Sequence, residues 1–168
     1  MTMRQLILFG CLYLVMLIAT AYFTRAAFRR IAGSLAGAAA VAIVALGVVA
    51  AGERAGWWHM AIRRDPWFLA LFCADIVLCA YVLLITWRIA RRFGGRGLAL
   101  VALAGAILGP PRDYWYMRHF PEWGSYAPGL APVFAISATY VVLLFVGQGV
   151  MRLVAGPAGD DPLARQRK

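Results

Sequence analysis

The chain has 168 residues, 63% of them hydrophobic, and a mean hydropathy of +0.74. Only 14% is charged, against about 25% in a soluble domain. That composition excludes a soluble globular domain and a disordered chain, and it points to an integral membrane protein. Net charge is +10, from 17 basic and 7 acidic residues. The arginines lie between apolar runs, so they are read as orienting the chain and meeting anionic head groups, not as binding nucleic acid.

A helix that crosses a bilayer needs roughly 20 apolar residues. Five segments qualify: 6–23, 31–51, 67–89, 97–117 and 130–151. The first begins like a signal peptide, with Arg4, an apolar run and Ala19-Thr20-Ala21. Its apolar character continues through Tyr22 and Phe23, which favours a retained span. The third is bracketed by Trp67 and Trp87, placed like interface anchors. The fourth is expected to kink or end at Pro110-Pro111, with Tyr114 to Met117 carrying it to the interface. Residues 156–168 read as a short flexible cytoplasmic tail.

Arginine counting sets the orientation. One set of connections carries Arg25, Arg29, Arg30, Arg88, Arg91, Arg92, Arg96, Arg152, Arg165, Arg167 and Lys168. The other carries Arg4, Arg54, Arg63, Arg64, Arg112 and Arg118. Eleven against six places the first set in the cytoplasm and the N-terminus outside. The expected fold is therefore all-α, a polytopic bundle of five transmembrane helices in the inner membrane. Small residues recur at packing intervals in span two (Gly33, Gly37, Ala40, Val44, Gly47, Ala51) and as Gly105-x-x-x-Gly109 in span four. Such stripes let helices approach closely, chiefly within the bundle, with homo- or hetero-oligomers as the alternative.

Glu53, Asp65, Asp75, Asp113 and Glu122, with His59 and His119, all fall outside or in the outer half of a span. The positive-inside rule constrains arginine and does not explain this clustering of carboxylates. Segment 52–66 contains Glu53, Arg54, Trp57 and Trp58, with Arg63 and Arg64 as candidate phosphate contacts. Segment 109–129 places six aromatics, among them Tyr114, Trp115 and Trp123, between four prolines, two arginines and two carboxylates. Its prolines pre-set the backbone, and a segment this long and aromatic reads as a rigid re-entrant turn or cap. The two segments are expected to meet. Arg112 and Asp113 are adjacent on a helix and so are expected to pair outward, with Glu53 or Arg54.

Asp75 is the sharpest residue. It lies eight positions into span three, roughly 12 Å below the outer end. An ionisable group at that depth costs about 2.5–3.5 kcal/mol on insertion scales, so it is expected to face the bundle or a wet cavity. Its functional role would be to carry a proton or anchor a ligand; its structural role would be to pair with an arginine or with Thr139 or Tyr140. Cys79, Val82 and Thr86 continue its face.

Other chemistries recede. Cys11, Cys73 and Cys79 form no CxxC pair. The two histidines lie in outer segments and cannot supply paired axial haem ligands deep in the bundle. His119-x-x-Glu122 lacks a second ligand pair for a metal. No nucleophile elbow, P-loop or dinucleotide fingerprint is present. No cofactor is implied. The leading expectation is a protein that binds, and in one version modifies, an amphiphilic lipid or isoprenoid at its outer face. Asp75, Asp113 and Glu53 are the candidate acid–base groups. Arg54, Trp57, Trp58, Arg112, Tyr114, Trp115 and Trp123 are the candidate ligand contacts. A non-catalytic accessory subunit and a small transporter are the rival readings.

Overall fold

The computed structural model describes residues 3–61 and 67–157. Arg63, Arg64 and Asp65, and the tail beyond residue 157, lie outside the described residues. The described chain is all-helical apart from two short strands. In order it runs α1 (Met3–Thr24), α2 (Phe28–Arg54), β1 (Trp58–His59), α3 (Phe68–His119), β2 (Ser125–Tyr126) and α4 (Leu130–Ala155). All four helices are long and apolar enough to cross a membrane, which makes this a membrane protein.

Helix α3 has 52 residues. Unbroken, it would be about 78 Å long, more than twice the hydrocarbon thickness of a bilayer. It is broken at Gly94, whose φ of 62° and ψ of −148° lie outside the helical region and suit a residue without a Cβ. The connection expected between spans three and four is thus a one-residue break. Leu71, Asp75 and Leu78 before the break line the same cavity as Arg112, Asp113, Tyr116 and Met117 after it, so the two arms fold back on each other. The fold-back is tight: a Cβ on Gly97 would come within 2.8 Å of the Ile89 side chain and 2.9 Å of Phe93.

Pro110 and Pro111 do not end the second arm, which continues to His119. Pro110 has no N–H to give to the carbonyl four residues earlier, Ala106. The Ser137 hydroxyl of α4 donates to that carbonyl instead, at 2.7 Å. A neighbouring helix replaces the missing bond, the usual way proline is tolerated in a membrane bundle.

The packed face of α2 comprises Arg30, Gly33, Ser34, Gly37, Ala38, Val41 and Ala42. Gly33 meets Ala155 and Met151, and Gly37 lies against the Gly147 backbone. The stripe therefore packs against α4 within the chain. Its upper part does not follow: Gly47 and Ala51 are exposed. Gly109 is covered by the Tyr140 ring, which occupies the space a side chain there would need.

Ala38, Ala80, Leu83, Leu84, Trp87 and Met151 form the buried centre. Gln148, 3% exposed, donates to the Leu83 carbonyl at 3.0 Å and to the Thr86 hydroxyl. Thr86 is thus tied into the core below the face that carries Asp75. Helix α1 packs mainly against α3. At the end away from the strands, Arg29 donates to the Val154 carbonyl, and Arg30 to those of Gly156 and Pro157. Arginines at the start of α2 thereby satisfy carbonyls at the end of α4 and complement its dipole. Arg30 and Arg91 also flank Trp87, each about 5.1 Å from its ring centroid.

Candidate functional site

The two aromatic segments meet. Trp58 pairs with Tyr126 and His59 with Ser125 in a short antiparallel ladder, extended by an Ala127 N–H to Trp57 carbonyl bond of 2.8 Å. Trp58 is buried, its ring over Gly52 and its indole N–H donating to the Val49 carbonyl at 3.0 Å. Only a glycine at position 52 leaves room for that ring. The Glu53 carboxylate accepts the Met60 backbone N–H at 3.0 Å and fixes the turn that carries β1. Tyr114 stacks on Tyr126 at 4.8 Å, and Phe120 on Trp123 at 4.7 Å. The result is a cap of interlocked rings over one end of the bundle.

Beneath it lies a cavity of about 240 Å³. Phe9 and Tyr13 of α1 form one wall, Leu71, Asp75 and Leu78 of the first arm of α3 another. Arg112, Asp113, Tyr116 and Met117 come from the second arm, and Trp123 and Tyr126 from the cap. A smaller cavity of about 100 Å³, lined by Trp58, Met60, Thr139 and Tyr140 among others, shares Asp113 and Tyr126 with it. These two residues form the partition.

The polar core of the partition corrects the expected pairing. Arg112 and Asp113 bond to each other, Nη1 to Oδ1 at 3.3 Å, and not outward to Glu53 or Arg54. Consecutive residues on a helix diverge, but Tyr140 of α4 stands between them. Its hydroxyl accepts from Arg112 Nη1 at 2.7 Å and donates to Asp113 Oδ1 at 2.8 Å. The guanidinium also lies over the Tyr116 ring, one turn on, at 5.0 Å. Burial, and then the nearby Asp113 carboxylate, push the Tyr126 phenol above its usual range.

Asp75 lines the cavity and is itself exposed. No hydrogen bond or ion pair joins it to any described residue. The suggested partners are engaged elsewhere: Thr139 donates to the Ala135 carbonyl at 2.7 Å, and Tyr140 belongs to the Arg112–Asp113 triad.

Of the sequence candidates, Asp75, Arg112, Asp113 and Trp123 line the main cavity, and Trp58 lines the smaller one. Glu53 and Tyr114 build the cap, while Arg54, Trp57 and Trp115 are exposed and line neither cavity. Phe9, Tyr13, Tyr116 and Tyr126 were not among the sequence candidates, and Tyr140 entered only as a structural partner for Asp75. Phe9 and Tyr13 are one turn apart on α1, and the spacing was the only available signal. Among the described residues, no three histidine, cysteine or acidic side chains converge, and His119 Nδ1 lies 2.8 Å from the Trp115 carbonyl. No protein family, characterised protein or solved structure matches this chain.

Proposed function

We propose that the protein is a five-span inner-membrane protein that binds an amphiphilic lipid or isoprenoid in the cavity beneath its aromatic cap. The observation that carries this reading is the cavity itself, a largely apolar and aromatic chamber with a few convergent polar groups, the general form of a small-molecule site. Its wall on one side is α1, a peripheral helix with exposed Leu8, Leu12 and Val15. An amphiphile would enter along that helix with its tail still among lipids. Five crossings follow from counting the two arms of α3 separately, and the arginine-rich end would then face the cytoplasm. In a catalytic version, Asp75 would move the proton, because it alone among the cavity carboxylates makes no hydrogen bond or ion pair. Asp113 would then keep Arg112 and Tyr140 in place.

The test is the lipid that stays with the protein. Mass spectrometry of gently solubilised, monodisperse protein should find one amphiphile class enriched over the bulk membrane extract. Leu78→Phe, which fills the chamber, should remove it while the protein still elutes as a single species. A wild-type protein carrying only the bulk lipid profile would reject the reading.

A further inference from the structure

Asp75, Asp113 and Arg112 give the main cavity formal charges of −1, −1 and +1. The guanidinium is already engaged: it bonds Asp113 and the Tyr140 hydroxyl and covers the Tyr116 ring. The other charge is that of Asp75, which makes no hydrogen bond or ion pair with any described residue and feels Arg112 only at longer range. An ionised carboxylate within a membrane bundle is costly unless an opposite charge or a donor meets it. A phosphate or carboxylate head group would therefore meet, in Asp75, a carboxylate that repels it and that no hydrogen-bond donor covers.

The rings around that carboxylate point the same way. Phe9, Tyr13, Tyr116, Trp123 and Tyr126 all line the chamber. Aromatic faces attract organic cations, and cages of such rings recognise quaternary ammonium groups. At about 240 Å³ the chamber is smaller than the roughly 300–1,000 Å³ of a site that encloses a whole ligand. It fits a compact head group with the tail left outside, along α1.

We propose that the chamber is a site for a lipophilic organic cation, an amphiphile whose protonated or alkylated amine sits against Asp75 among the aromatic rings. This rests on the amphiphile reading above and names the head group that the site selects.

The experiment compares three probes with the same tail: dodecyltrimethylammonium, dodecanol and dodecyl phosphate. Each is radiolabelled and applied to the full-length protein immobilised in dodecyl maltoside, with protein-free beads as the blank. The wild type should retain the ammonium probe at concentrations about tenfold lower than either of the others. Asp75→Asn should reduce retention of the ammonium probe to the level of dodecanol, and Tyr13→Leu should weaken it less. Equal or tighter retention of the phosphate or the alcohol by the wild type would overturn the cation assignment while leaving an amphiphile site in place. An undiminished ammonium preference in Asp75→Asn would also overturn it. Retention of no probe above the blank would instead reject the amphiphile reading. The ranking in the wild type is decisive without any variant.

Discussion

Ser137 of α4 donates its hydroxyl to the Ala106 carbonyl at 2.7 Å, the carbonyl that Pro110 cannot serve. A serine on one helix thus repairs a proline on another. Ser137→Ala should destabilise the protein by about 1 kcal/mol, the worth of a hydrogen bond between membrane helices. In a Pro110→Ala background the backbone N–H returns, and the same change should cost much less. Denaturation of the four proteins in mixed micelles gives the coupling; equal costs in both backgrounds would remove the proposed link.

Gly52 lies under the Trp58 indole, and a Cβ there would occupy the ring's place. Gly52→Ala should therefore displace Trp58, break its bond to Val49 and cost about 1–3 kcal/mol. Trp58→Leu should make Gly52→Ala nearly harmless. Melting of the single and double variants in detergent checks this, with tryptophan emission reporting the ring.

The two cavity carboxylates should respond differently to amide replacement. Asp75 makes no internal bond, so Asp75→Asn should change stability by less than about 0.5 kcal/mol and show its effect in ligand retention. Asp113 accepts from Tyr140 and Arg112, so Asp113→Asn should cost roughly 1–3 kcal/mol. A melting temperature lowered as much by the first change as by the second would make Asp75 a structural residue.

Tyr126 gives a pH dependence. Burial raises its phenol above the ordinary value near 10, so in the folded protein it keeps its proton after the unfolded chain has lost it. The unfolded state then binds fewer protons, and stability falls as pH rises from about 10 through the folded-state value. Below pH 10 this contribution is fully present. Tyr126→Phe should flatten that alkaline decline, and the wild-type phenolate absorbance should show one tyrosine titrating later than in the variant.

Orientation is tested at the C-terminus. A reporter fused after Lys168 should be active only in the cytoplasm, as expected if the arginine-rich end faces inward and α3 crosses twice. A reporter that folds and works outside the membrane would remove the five-span arrangement.

The helical membrane character and the positions of the apolar segments were legible in composition and run length, because an apolar run beyond about 18 residues has few other uses. Asp75 also stood out, since a carboxylate eight residues into such a run demands a reason. The meeting of the two outer segments, at Trp58–His59 and Ser125–Tyr126, was legible too, from their shared aromatic and charged make-up. Which residues line the chamber was not. Phe9 and Tyr13 read locally as ordinary apolar positions of a lipid-facing helix, and only the packing of α1 against α3 turns them inward. The Arg112–Asp113–Tyr140 triad likewise escaped a rule about neighbours on one helix, because the atom that joins them comes from another. Periodicity separates an apolar side of a helix from a polar one, but the lipid-facing and the packed sides of these helices are both largely apolar. Which residues face the chamber is set by where Gly94 reverses the chain and by which neighbour then supplies the missing hydrogen bonds, and those are decided between helices.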